Sequence, residues 1–283
     1  MQENAAEIEL VIATPPGSGL VAPAPDVASL AGVRVVETPL LPMAPARAAA
    51  VRAAGAPIVV LGETHVFAQP GWGSRLVEAH DGPWTAVTPR IGNANPGGGL
   101  SWVGLLMDYG SFARPGQPRE TLHVAGYNAA FKRTALLELG DELESLLEPG
   151  SSLGGELRGR GGRFLHEPAA RIDHLNVSRP LPWLVERYLG GRLIASARSR
   201  GWPRRRALLY AAGFPLVAPL RFVRTLRLAR SSGTQLPPTF VPALLLASLV
   251  WAVGEGVGYL RGEGRTGTRR MFEYEQHKSR YVR

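Results

Sequence analysis

The sequence contains no cysteine in its 283 residues. Disulfides, thiolate nucleophiles and cysteine-based zinc sites are therefore excluded, and the composition fits a reducing compartment. An opening secretory signal is also missing: residues 1–6 are polar and acidic, with no basic stretch followed by an apolar one. The chain is expected to stay on the cytoplasmic side. Zinc-finger, helix-turn-helix and aromatic–glycine RNA-binding signatures are absent, as is any repeat with a period of about 20–50 residues. No unbroken apolar run reaches the ~20 residues that cross a bilayer. The most hydrophobic stretch, 240–260, is interrupted by Gly254, Glu255, Gly256 and Gly258, which leaves 240–253. A carboxylate near its end is costly in lipid, so the stretch is expected to be embedded or interfacial; the alternative is a buried helical hairpin.

What is present supports a folded protein. Hydrophobic residues make up 45% and charged residues 19%, so a packed core is feasible. The length suits one large domain, or a domain with an appendage. The net charge of +9 is an average over two unlike halves. Residues 1–157 hold 9 Lys and Arg against 16 Asp and Glu, or −7, whereas 158–283 hold 23 against 7, or +16. The basic half is nearly all arginine and is expected to face an anionic surface. Without a nucleic-acid-binding signature, an anionic membrane surface is favoured and nucleic acid is not an expected partner.

Residues 8–13 (IELVIA) form an apolar, β-branched run that stops at Pro15-Pro16-Gly17 and reads as a buried strand. Residues 33–36 repeat the pattern. Residues 45–54 (PARAAAVRAA) read as a helix with proline in its first turn and a stop at Gly55. A strand follows at 58–61, so the order implies an α/β sheet with parallel pairings. Helices are expected at 74–80, 100–109, 141–147 and 153–160, strands at 84–88 and 163–165, and loops at 93–99 and 149–152. Beyond residue 180 the chain becomes helical, with arginine-studded segments at 183–200 and 202–230, and a polar, mobile tail is expected after Arg261.

Glu63-Thr64-His65 leaves the 58–61 strand. Alternate residues leaving a strand can point into one cleft, so a carboxylate and an imidazole two apart can approach one ion. The plainer reading is a loop-capping carboxylate and a structural histidine.

The surrounding pattern resembles family 2 glycosyltransferases of the GT-A fold. In that family an alanine-rich helix precedes a hydrophobic strand, an Asp-x-Asp triplet and then Pro-Gly-Trp; here residues 45–54, 58–61, Glu63-Thr64-His65 and Pro70-Gly71-Trp72 stand in that order. A second match is 126–133 (GYNAAFKR), which in the family lies beside the donor sugar. A third is 153–174, with Leu157, Arg158, Arg160, Phe164, Pro168 and His174 in place. The resemblance covers about residues 5–178.

What it implies is a Rossmann-like, GT-A-like mixed sheet flanked by helices over 1–178, then a basic helical, membrane-associated region over 179–262 and a polar tail over 263–283. The implied reaction is inverting transfer of a sugar from a nucleotide-diphosphate donor to a lipid-linked or glycan acceptor at the cytoplasmic face of the membrane. Glu63, His65 and His174 would hold a divalent metal, Mn²⁺ or Mg²⁺, with imidazole favouring the former. Asn128, Lys132 and Arg133 would meet the donor, and Glu148 is the candidate base. The chain departs from the family in four ways, one being Thr14-Pro15-Pro16 where the family's second strand ends in acidic residues that hold the nucleotide. The triplet's outer aspartates are Glu and His, the acidic pair that carries the base is replaced near Pro149-Gly150-Ser151-Ser152, and the first strand and helix are missing. Those departures keep open a second reading, a non-catalytic glycosyltransferase-like binding or scaffold protein.

Overall fold

The computed structural model describes residues 2–20, 27–148 and 150–283, so Met1 and Pro149 of the segments read above lie outside the described residues. The protein is α/β. The β-branched runs form β1 (Glu9–Thr14) and β2 (Gly32–Glu37), which pair in parallel from Glu9 opposite Gly32 to Thr14 opposite Glu37. Helix α1 (Met43–Ala53) carries Pro45 in its first turn and gives way at Ala54-Gly55. Its buried Ala44, Ala46, Ala48 and Val51 form a small-residue face that permits close packing.

Six strands make the larger sheet. In chain order they are β3 (Ile58–Val60), β4 (Val66–Ala68), β5 (Ala86–Asn93), β6 (Arg119–Thr121), β7 (Ala130–Lys132) and β8 (Phe164–His174). The spatial order is β3-β7-β5-β8-β4, with β6 pairing β8. The helices among them are α2 (Trp72–His80), α3 (Gly99–Tyr109), α4 (Arg133–Leu137), α5 (Glu142–Leu146) and α6 (Leu153–Gly159). One expectation is corrected here. Among the described residues β3 has no parallel neighbour; it runs antiparallel to β7, with Ile58 opposite Lys132. β7 follows directly on the left-handed turn at Asn128 and pairs alongside β3. β8 is also much longer than the three residues expected at 163–165. From Pro168 it alternates buried and exposed positions, and the same two-residue period buries Ala170, Ile172 and His174.

By contact density the chain divides into two compact units. The first comprises Met1–Glu63, Ala68–Arg90 and Gly116–Ile172. Its core gathers Leu76, Val87, Ala130, Leu165 and Ala170, with Ile58, Val60 and Trp72 packed against them. The second comprises Thr64–Phe67, Ile91–Pro115 and Asp173–Arg283. It holds α7 (Pro180–Arg198), α8 (Arg204–Ala212), α9 (Phe214–Ser231), α10 (Phe240–Arg261) and α11 (Gly267–Gln276) around Val103, Leu106, Trp183, Phe240 and Leu244.

Residues 202–230 hold two helices, α8 and α9, which meet at Gly213 with a bend of 58°. Conversely, the glycines after Val253 do not break α10, which runs for 22 residues. They serve packing instead: a Cβ on Gly254 would lie 2.2 Å from the Tyr188 carbonyl oxygen, and one on Gly191 would lie 2.3 Å from that of Trp251. Glycine lets the α7 and α10 backbones touch. α10 is long and apolar enough to cross a membrane, and more than half of its apolar window is buried within the protein.

Candidate functional site

In the first unit the strand-end signal is built around Asn128. Its φ of +63° lies in the left-handed region, which among non-glycine residues asparagine tolerates best. The turn is fastened on both sides: the Asn128 amide donates to the Leu61 carbonyl at 2.8 Å, and Arg47 donates to the Tyr127 hydroxyl at 2.7 Å while lying over its ring. Held this way, Asn128 Nδ2 donates to Glu63 Oε2 at 2.5 Å. The carboxylate is therefore oriented by the residue singled out in the second sequence match.

The cations of that match turn elsewhere. Lys132 Nζ reaches the Gly82 carbonyl at 3.4 Å, and Arg133 donates to the carbonyls of Val51 and Arg52 at 3.3 and 3.1 Å. Lys132 thus ties β7 to the loop after α2, and Arg133 ties α4 to the end of α1. Glu148 stands half-buried in the turn after α5, where its carbonyl accepts the Ser151 amide.

In the second unit, two histidines 109 residues apart meet. His65 Nε2 and His174 Nε2 are 3.1 Å apart, with the rings edge to face at 82°. Their tautomers follow from their other nitrogens. His65 Nδ1 lies 3.2 Å from the Glu275 carbonyl, which can only accept, so Nδ1 carries the proton. His174 Nδ1 lies 2.9 Å from Asn176 Oδ1. The orientation of that amide is fixed, because Asn176 Nδ2 donates to the carbonyl of His174 at 2.9 Å and to Asn93 Oδ1 at 3.1 Å. Asn95 locks the main chain there, accepting the Asn176 amide at 2.9 Å and donating to its carbonyl at 2.8 Å.

Both histidines therefore turn an Nε2 lone pair toward the same place. Two acceptors at 3.1 Å repel unless a cation lies against them. Protonation does not supply it: burial, assisted by the Lys278 ammonium, lowers His65 to about 4 and holds His174 well below the ordinary histidine value. A cation from the chain does stand there, since Lys278 Nζ is 3.0 Å from His65 Nε2 and 3.1 Å from Glu275 Oε2.

Paired neutral imidazoles with their outer N–H groups given to oxygen acceptors are the preorganised half of a metal site. Glu63, the last residue of the first unit, precedes His65 by two positions in the chain. His65 and His174, both in the second unit, are two of the three residues expected from the sequence to hold a metal ion. No family model and no curated protein matches the chain.

Farther along α7, the buried Arg187 grips Asp108 through both terminal nitrogens at 3.1 and 3.0 Å, and Nη2 lies 3.0 Å from Glu186. Burial raises the Glu186 carboxyl above its usual range. The Arg187–Asp108 pair anchors α7 to α3, which carries Ser101 under Asn93 and Asn95 at 2.8 and 2.9 Å.

Sequence reasoning found both histidines and Glu63 but missed Asn93, Asn95, Asn176, Glu275 and Lys278. The spacing of His174 and Asn176 was a legible sign of a side-chain turn. Nothing local marks Glu275 or Lys278, whose partner lies more than 200 residues earlier.

Proposed function

We propose that the chain is a GT-A-like glycosyltransferase, moving a sugar from a nucleotide-diphosphate donor to a lipid-linked or glycan acceptor at the cytoplasmic face of a membrane. The observation that carries this reading is the meeting of His65 and His174 with both Nε2 lone pairs turned inward. A divalent cation there would supply positive charge against the diphosphate leaving group. Glu63, His65 and His174 would hold it, and Asn128 positions the Glu63 carboxylate. Pro70-Gly71-Trp72 adds support: Gly71 takes a left-handed φ of +76° as the cap from which α2 starts, a conformation that favours glycine there. Glu148 remains the proposed base by resemblance.

Membrane attachment is proposed for the second unit. Val241, Leu245, Leu249 and Val253 are all exposed and fall at four-residue spacing, so they make one apolar stripe on α10. Phe214, Leu216, Leu220 and Val223 of α9 are exposed as well, beside the exposed Arg224 and Arg227. Apolar side chains rimmed by arginine suit the interface of an anionic bilayer.

The test of the catalytic reading is calorimetry of the full chain with a panel of nucleotide-diphosphate sugars, with and without Mn²⁺. Mn²⁺-dependent binding of at least one donor is expected. No binding under either condition overturns the enzyme reading and leaves the non-catalytic scaffold.

A further inference from the structure

The C-terminal segment, which in sequence reads as a polar tail, brings a cation to the histidine pair. It is firmly tied within the second unit. The amides of Ser178 and Arg179 both donate to the Tyr281 carbonyl at 3.0 Å, the Arg283 amide donates to Ser178 Oγ at 2.9 Å, and the Tyr274 and Tyr281 rings meet edge to face. These ties sink Lys278 until its side chain is only 4% exposed. A buried ammonium needs partners, and two of them are His65 Nε2 and the Glu275 carboxylate.

An imidazole nitrogen has one lone pair. With the His65 Nδ1 proton given to the Glu275 carbonyl, Nε2 is the atom that accepts from Lys278. A metal ion requires that same lone pair, and its charge repels an ammonium so close by. The two occupants are mutually exclusive.

We propose that Lys278 is a tethered stopper of the cation site, held on His65 by Glu275, and that a divalent ion enters only by displacing it and loosening the turn that carries it. The proposal rests on the reading of Glu63, His65 and His174 as a cation site. It adds to that reading a competitor carried by the chain itself, which keeps the site closed until the ion's concentration is high enough.

The experiment is a calorimetric titration of the full chain with Mn²⁺ alone, comparing wild type, Lys278→Met and His65→Ala. If the stopper is seated in at least nine molecules in ten, its removal tightens binding about 10-fold or more. Hydrogen exchange of residues 277–283 in wild type is expected to quicken at saturating Mn²⁺. This second readout needs no variant, so the test survives even if Lys278→Met folds poorly. Equal or weaker affinity in Lys278→Met, or exchange unmoved by Mn²⁺, overturns the stopper. If affinity is still lost in His65→Ala, the cation site itself stands. Absence of Mn²⁺ binding in every protein overturns both.

Discussion

Asn128 joins a backbone demand to a side-chain task, and the two can be separated by substitution. The left-handed φ of +63° suits asparagine or glycine, whereas alanine there costs about 1–2 kcal/mol. Asn128→Ala is therefore expected to lower the unfolding free energy by about that amount in urea titrations. Asn128→Gly should remain within about 1 kcal/mol of wild type yet lose the amide that orients Glu63. Removing such an outer partner typically weakens metal affinity about 10–100-fold, so Asn128→Gly should bind Mn²⁺ poorly while folding well. Equal Mn²⁺ affinity in Asn128→Gly and wild type would remove the positioning role. His65 gives a pH signature with a definite sign. Folded, it stays neutral down to about pH 4, whereas unfolded it gains a proton below about 6.5. Its contribution to stability is complete above about 6.5 and is lost as pH falls toward 4, at about 1.4 kcal/mol per pH unit. Between pH 7 and 5, metal-free wild type should lose about 2 kcal/mol more stability than His65→Gln, measured by urea unfolding. Equal losses in the two proteins would show that burial does not hold this ring neutral.

Among the elements, α7 and α10 show how composition misleads about helix continuity. Glycine weakens a helix by about 1 kcal/mol relative to alanine, which is why 254–258 reads as a break. Packing reverses that judgement, because only glycine permits the backbone contact at Gly191 and Gly254. Gly191→Ala is expected to destabilise by about 1–3 kcal/mol through overpacking. Gly159→Ala in α6, where an added Cβ meets nothing within 4 Å, should be neutral or stabilise by up to about 1 kcal/mol. Melting temperatures by circular dichroism check the pair, and a fall of similar size in both variants would refute the packing account. The same contrast explains what was legible in the sequence. β1, β2, α1, α2 and α3 announce themselves because periodicity, proline and glycine act within a few residues. β7 does not: Ala130–Lys132 is too short to show a period, and only pairing with β3 and β5 makes it a strand. His174 sits in a readable alternation along β8, so its burial follows from local pattern. Its meeting with His65 does not, and neither does the approach of Glu275 and Lys278, since contacts across 100–200 residues leave no local trace.

Over the whole molecule, charge is segregated by sequence: −7 over residues 1–157 and +16 over 158–283. A strongly basic half would repel itself if its arginines all lay close together. Several are instead neutralised within the second unit, with Arg187 on Asp108 and Glu186, and Arg221 on Glu255 at 3.2 Å. Others have no such role in the core: Arg204, Arg205 and Arg206 are exposed at the start of α8, next to the exposed Leu208, Leu209 and Tyr210. Arg206 also lies 4.0 Å over the Trp202 ring, an amphipathic pairing suited to a headgroup layer. The attraction of an anionic surface is worth about 1 kcal/mol per arginine near it. Replacing Arg204, Arg205 and Arg206 with glutamine is then expected to weaken partition onto phosphatidylglycerol-containing vesicles on the order of 100-fold at physiological salt. Neutral phosphatidylcholine vesicles should show little difference between the two proteins, because the lost attraction is electrostatic and screened over roughly 8 Å. Sedimentation with each vesicle type measures both. If the triple variant sediments with anionic vesicles as wild type does, the α8 arginines face something other than lipid and the attachment proposed for this unit fails.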